Sequence, residues 1–397
     1  MYVRDWVARR AELSPEKLAV IDAATDARLT YFQLNDRATR LANFLRERCG
    51  VKSQDRVAVL AMNRTEILEV FFACAKLSAI LVPLNYRLTS MEQAYILEDC
   101  TPRVLFYEDE FAHILSELRE HLPNCRFIGF NTNGSVPAYH DGTAYAHAAP
   151  IEVDHFDAEM TAMIIYTSGT TGHPKGAMLS HRMLTWNSIN TNLGWDLVSN
   201  DVTTVHAPLF HTGGLNVFTA PLVHCGGTSI VCRSFDAGQV YDLIDGAGVT
   251  LLFGVPTMFL ALQQHPRWGA ADFARLKLII SGGAPCPLPV FERFWERGID
   301  FKTGYGLTEA GPNTFWLPPE DVRRKPGAGT YSEHKIQVGA LERSYIRYTP
   351  AGDTPDTLLL LLHGGGGKAS QFLRLARDMP SLADKQHFLI VYPDGIG

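Results

Sequence analysis

No stretch of this sequence approaches eighteen apolar residues, and the longest suggestive run, Leu358 to Leu362, is far too short to span a bilayer. There is no CxxC pair. The seven cysteines (Cys49, Cys74, Cys100, Cys125, Cys225, Cys232 and Cys286) are scattered and odd in number, which favours reduced, mostly buried thiols and a cytoplasmic setting over a disulfide framework or a zinc site. Positive charge is not in surplus. A formal charge of −6 gives no general attraction to nucleic acid or to an anionic membrane, so any anion site must be local. The N-terminus, MYVRDWVARRAELSPEKLAV, has charges scattered through it and no apolar core, so it does not read as a secretory signal. Short repeats and low-complexity tracts are also lacking. What remains is an ordinary globular composition, 46% hydrophobic and 20% charged, over 397 residues, which is length for two or three domains and a large core.

The chain alternates strand and helix signals. Thr30-Tyr31-Phe32-Gln33 fits a capping box, and Leu34, Ala38, Leu41 and Leu45 follow at helical spacing until Gly50. Strands are expected at 56–61, 79–83, 103–107 and 126–130, with helices at 65–77, 90–100 and 110–121 between them. A connection rich in Gly, Asn and Pro follows at 131–150, and the rhythm restarts at Ala162, with strands at 249–253 and 276–280 and a helix at 287–297. This pattern predicts two α/β units, each a parallel sheet covered by helices on both faces.

Residues 166–176 read YTSGTTGHPKG, directly after the apolar run Ala162-Met163-Ile164-Ile165. A solvent linker is one reading, but apolar character resumes at once in Ala177–Leu179. Gly169, Gly172 and Gly176 let backbone N–H groups approach an anion, the Ser and Thr hydroxyls add donors, and Lys175 adds a compact positive charge. Those are the parts a polyphosphate needs. The spacing is not that of a Walker A loop, since Pro174 stands where Gly is required and Lys175 is followed by Gly176, and GxGxxG is absent here.

YTSGTTGHPKG resembles the signature of the adenylate-forming superfamily, the acyl-CoA synthetases, luciferases and peptide-synthetase adenylation domains. Further resemblances follow in order. Leu29-Thr30-Tyr31 and Val82-Pro83-Leu84-Asn85 resemble the two early signatures, and Pro208-Leu209-Phe210-His211-Thr212-Gly213-Gly214 resembles the acyl-pocket segment of acyl-CoA synthetases. Ser281-Gly282-Gly283-Ala284-Pro285 resembles the adenine-side loop, and Gly304-Tyr305-Gly306-Leu307-Thr308-Glu309 the second nucleotide signature. The resemblance implies an AMP-forming acid–thiol ligase with ATP, Mg²⁺ and coenzyme A as its small molecules and a carboxylic acid as its substrate. By that resemblance Thr167, Ser168, Gly169, Thr170, Thr171, Gly172 and Lys175 would hold the β and γ phosphates. Tyr305 would stack on adenine, with Gly282, Gly283, Ala284 and Pro285 on its other side and Gly306 beside it. Thr308 would contact the α-phosphate and Glu309 would bind the metal. His211, Gly213 and Gly304 would line the acid pocket. Read alone, Tyr305 is equally a half-exposed core aromatic, Glu309 a solvated or capping carboxylate, and His211 a packed histidine.

The resemblance runs to about Gly327, which sets an expected adenylate-forming large domain at 1–326. Beyond it the sequence holds no TGD motif and no GK-containing terminal signature, so the resemblance implies a missing C-terminal lid and impaired turnover. Residues 327–397 read differently. A strand at 343–348, a strand at 357–362, the turn His363-Gly364-Gly365-Gly366-Gly367 and a strand at 388–392 before Pro393-Asp394-Gly395 resemble the opening of polyhydroxybutyrate-depolymerase and feruloyl-esterase α/β-hydrolases. The expected fold class is therefore α/β: two parallel-sheet subdomains followed by an incomplete α/β-hydrolase-like fragment. No serine stands in GxSxG, since Ser168 lacks the upstream Gly and Ser229 the downstream one. A hydrolase reading thus has an oxyanion turn without a nucleophile, and a non-catalytic nucleotide-binding chain is the third alternative. The orphan strands of the fragment are expected to need partners, or to pack where the absent β-rich subdomain would have sat.

Overall fold

The computed structural model describes residues 4–131, 139–140, 146–153, 155–167, 173–315, 330–338, 341–350, 355, 357–361, 379–386 and 388–393. Ser168 to Gly172 of the phosphate loop and the turn at 363–367 lie outside the described residues.

The two expected sheets form. The first has six strands in the order Arg126–Gly129, Val104–Tyr107, Arg56–Leu60, Ile80–Pro83, Thr161–Thr167 and Lys175–Ser180, all parallel except the last, which turns back antiparallel on Thr161–Thr167. The second has seven, in the order Phe301–Thr303, Leu278–Ser281, Leu251–Gly254, Val202–Val205, Thr228–Val231, Leu18–Asp22 and Arg28–Thr30, again parallel until the final pair. The N-terminal hairpin Leu18–Thr30 escapes the sequence rhythm and joins the second sheet, so the two units are interleaved in the chain.

Helix Thr65–Leu77 shows how they are held together. It is buried along almost its whole length and shares one apolar core with Tyr31–Glu47, both sheets and Leu209, Leu215 and Val223 of the second unit. Its polar residues are matched: Glu66 pairs with Arg64 at 2.8 Å, Glu69 with Arg37 at 2.8 Å, and Lys76 with Asp5 at 2.7 Å. Such pairing is what makes a buried charge tolerable. The expected capping box at Thr30 and Gln33 is present, and a second at Thr89 and Glu92 starts helix Ser90–Cys100.

Strand alternation places the site. In Leu251–Gly254 and Leu278–Ser281, Leu251, Leu278 and Ile280 enter a cluster with Trp195, Val217, Phe218 and Leu222, against which Phe253 packs. Leu252 and Ile279 point to the opposite cluster under helices Ala237–Gly246, Pro256–Gln264 and Leu288–Trp295. The first face opens, at the carboxyl ends of the strands, into the cleft described below.

The C-terminal strands do find partners, and these are each other. Thr330–Val338, a strand not expected from the sequence, pairs antiparallel with Leu341–Thr349; Phe388–Pro393 follows and Thr357–Leu360 is the far edge, parallel to it. Ile346, Tyr348, Leu361, Ala383, Ile390 and Tyr392 form a small separate core. Tyr348 Oη donates to Asp384 at 2.8 Å in helix Met379–Gln386. Tyr305 and Phe315 of the preceding unit pack against this core, which ties the sheet to the second nucleotide signature.

Candidate active site

The strands on either side of the 166–176 motif, Thr161–Thr167 and Lys175–Ser180, pair antiparallel. Thr167 stands opposite Lys175 and Tyr166 opposite Gly176, at the open edge of the six-stranded sheet. Helix Ser90–Cys100 braces both stems: the His173 ring stacks on Tyr95 with centroids 4.9 Å apart, and Tyr166 Oη donates to Asp99. Burial, then the bond to Asp99, pushes the Tyr166 phenol up.

The acyl segment is pinned from the first sheet. Asn63 donates through its amide to the carbonyls of Val205 (3.2 Å) and Ala207 (2.9 Å) and accepts from Leu209 N–H at 2.8 Å. The Tyr86 ring meets Phe210 edge-on at 5.4 Å, with the Arg87 guanidinium over both rings. His211 therefore faces the cleft in a defined place. Desolvation by the neighbouring groups, and then the Arg87 charge, lower its pKa below the ordinary histidine value.

The second signature folds into the hairpin Tyr305–Leu307 and Gly311–Phe315, with a single turn Thr308–Ala310 between. A Cβ on Gly306 would stand 1.9 Å from the Pro312 carbonyl oxygen, so only glycine permits this pairing. Asn313 anchors the hairpin, donating through its amide to Thr191 Oγ1 at 2.7 Å and Val217 O at 3.1 Å. Asn187 accepts from Asn313 N–H at 3.4 Å and donates to Asn216 O at 2.8 Å.

These pieces enclose a cleft of about 530 Å³, a size that suits a small-molecule site. Thr167, Lys175, His211, Gly213, Gly282, Gly283, Gly304, Gly306, Thr308 and Glu309, all expected from the sequence, line it together. The strand that begins at Lys175 lies against the turn carrying Thr308 and Glu309. Gly283 turns the loop after Leu278–Ser281 with φ +76°, a conformation that suits glycine. Ala284 and Pro285 continue that loop exposed and outside the lining, and Tyr305 is also outside it. The Tyr305 ring stacks on Phe315 (5.7 Å, 27°) against the C-terminal core, and burial pushes its phenol up to about 12. The sequence gives no warning of Trp195, Val217, Phe253, Ile280, Pro312 and Asn313, which complete the walls. Each sits in a run that reads as plain core or plain loop.

The cleft thus has an apolar side, backed by the Trp195–Ile280 cluster, and a polar side with one lysine, one carboxylate, hydroxyls and glycine backbone. A model of the family described as AMP-binding enzyme matches residues 7–339. The chain belongs to the AMP-binding enzyme family. Among curated family members, feruloyl-CoA synthase from an Amycolatopsis species is 40% identical over 323 residues, covering 81% of this chain and 62% of its own length. Indoleacetate–CoA ligase from Aromatoleum aromaticum is 34% identical over 336 residues, covering 84% and 65%. The chain thus spans less than two thirds of these relatives. The inhibitor-bound N-terminal domain of FACL13 from Mycobacterium tuberculosis superposes with a TM-score of 0.76 at 28% identity, over 88% of this chain and 89% of that one. ATP-bound MatB from Rhodopseudomonas palustris gives 0.70 at 28%, over 87% and 70%. The parallel-sheet α/β fold expected from the sequence is therefore the fold of AMP-binding enzymes. The family match ends just past the first strand of the C-terminal sheet.

Proposed function

We propose that this chain is an acid–thiol ligase: it activates a carboxylic acid with ATP to an acyl-adenylate and pyrophosphate, and passes the acyl group to a thiol such as that of coenzyme A. The observation that carries the reading is the meeting, in one cleft, of the hairpin holding Thr167 and Lys175 with the turn holding Thr308 and Glu309, above an apolar wall. Attack of the acid on the α-phosphorus accumulates negative charge on the phosphates, and pre-set donors and cations lower that barrier. Lys175 and the loop from Thr167 to Gly172 take the β and γ phosphates. Thr308 donates to the α-phosphate. The loop Gly282–Pro285, with Gly306, holds the nucleoside end, and His211, Gly213 and Gly304 border the acid. Tyr305, stacked on Phe315 and outside the described lining, is the adenine-stacking residue of this reading.

No group of three His, Cys, Asp or Glu side chains capable of holding a metal occurs among the described residues. A single carboxylate, Glu309, fits Mg²⁺ bound mainly by phosphate oxygens, the usual mode for that ion, rather than a cation in a protein cage. Bound there, Mg²⁺ would neutralise phosphate charge.

We read 1–326 as the adenylate-forming large domain and 327–397 as an α/β-hydrolase-like segment. A separate sheet with a core of its own supports that division. The seven cysteines are all free, which supports a reducing, cytoplasmic setting. Among the described residues no helix is long and apolar enough to cross a membrane. Acid-dependent exchange of labelled pyrophosphate into ATP tests the function. Exchange that needs the acid, Mg²⁺ and Lys175 supports it, and ATP binding without exchange for any acid would leave a nucleotide-binding protein instead.

A further inference from the structure

We propose that Phe253 is the specificity-determining residue of the acid site: wedged between Gly213 and Gly282, its ring closes the apolar end of the cleft so that it takes a compact aromatic monocarboxylic acid. This rests on the ligase reading above and deepens it.

Three observations support the assignment. Phe253 is the one partly exposed residue in strand Leu251–Gly254, and it lines the cleft. A Cβ on Gly213 would lie 3.2 Å from its ring and one on Gly282 3.0 Å. Both flanking positions are thus bare backbone, and the ring is gripped from the acyl segment on one side and the glycine loop on the other. Side chains at either position would push it into the cleft.

Core residues wall the apolar end. Trp195, Val217 and Ile280 line it and belong at the same time to the core, at 7%, 3% and 2% exposure. A long alkyl chain would have to displace them, at the cost of overpacking a filled core. A flat ring meets the faces and edges of Phe253 and Trp195 without displacing anything. The charge pattern excludes a second carboxylate. Among the described lining residues the only lysine or arginine is Lys175, on the polar side, so an anionic group pushed to the apolar end would be desolvated without a partner.

The test uses the full chain and two readouts: binding of each acid followed by ligand-observed NMR, and pyrophosphate exchange. The probes are 3-phenylpropenoic, dodecanoic and nonanedioic acids. The expected result is binding of 3-phenylpropenoic acid at least about tenfold tighter than the other two. In Phe253→Ala the gap to dodecanoic acid closes by about tenfold or reverses, while Mg-ATP affinity changes by less than about threefold. Phe253→Leu, which keeps most of the volume, guards against a folding defect; it still excludes dodecanoic acid but loses the preference for the ring. Dodecanoic acid bound as tightly as 3-phenylpropenoic acid by the parent chain, or discrimination unchanged in both variants, overturns the inference. Selective binding with no exchange for any acid keeps Phe253 as the selector and removes the ligase reading instead.

Discussion

Residues 4–315 and the sheet that begins at Thr330 bury their strands in opposite ways. In the first region Ile80–Pro83, Val104–Tyr107, Thr228–Val231 and Leu278–Ser281 are buried at every position, because helices cover both faces of each sheet. In the second, Leu358 and Leu360 on the edge strand are 61% and 52% exposed, and one six-residue cluster serves as the core. A cleft needs walls that do not yield, and every described lining residue falls within residues 4–315. Among the described residues the apolar core of the C-terminal sheet meets the far side of the site's hairpin at Tyr305 and Phe315.

That contrast can be broken from either side. Tyr348→Ala removes a fully buried ring and its bond to Asp384 from the small core, a loss of about 3–5 kcal/mol. The expected outcome, by thermal unfolding and hydrogen exchange, is a C-terminal sheet that opens while helix Thr65–Leu77 keeps its protection. Simultaneous loss of both would make the chain one cooperative unit. Glu309→Gln acts from the other side: the side chain is exposed, so the melting temperature should hold while acid-dependent exchange falls by about 10²–10³-fold. Full exchange in that variant would remove Glu309 from the site.

Acid should strike the first region. Burial lowers the pKa of His206 and of His181 to about 4. The unfolded chain takes up these protons from about pH 6.5 downward, whereas the native state refuses them until about pH 4, so the unfolded state binds more protons in that window. Stability is therefore full above about pH 6.5 and falls as the pH drops, by about 3 kcal/mol per histidine once pH 4 is reached. Urea midpoints for the parent chain and His206→Gln at pH 7 and pH 5 check the sign: the variant should lose less than the parent on acidification.

What could be read from the sequence was local. Helices Thr65–Leu77 and Ser90–Cys100 begin and end where apolar spacing and flanking residues place them. Lys175, His211, Thr308 and Glu309 were legible as members of ordered motifs. The hairpin Leu18–Thr30 was not, because its sheet partner, Thr228–Val231, lies some two hundred residues away and no local pattern records that pairing. Phe253 and Ile280 were hidden for a related reason. A strand buried on both faces is apolar throughout, so nothing marks the one position that reaches a cleft. Tyr305 shows the reverse case: its motif suggests a ligand, and its packing partners, Phe315 and a sheet downstream, cannot be inferred from the motif.

The smallest effect probes how the phosphate hairpin is held. Tyr95 stacks on His173 and stands one helical turn from Asp99, the acceptor for Tyr166, so one helix face steadies both stems of the loop. Tyr95 is partly exposed, and its loss in Tyr95→Ala should cost about 0.5–1.5 kcal/mol. If the stems position Lys175, that cost is felt in nucleotide binding: KM for ATP rises several-fold while kcat changes little, the signature of a lost interaction equal in ground and transition states. A lowered melting temperature with KM unchanged would mean that the helix supports the strand pair alone, and that the loop is held by its own backbone. Asp99→Asn separates the two stems, since it weakens the bond to Tyr166 and leaves the His173 stack in place. An equal rise in KM from both variants would show that the loop is gripped as a unit, as a site resting on doubly covered sheets requires.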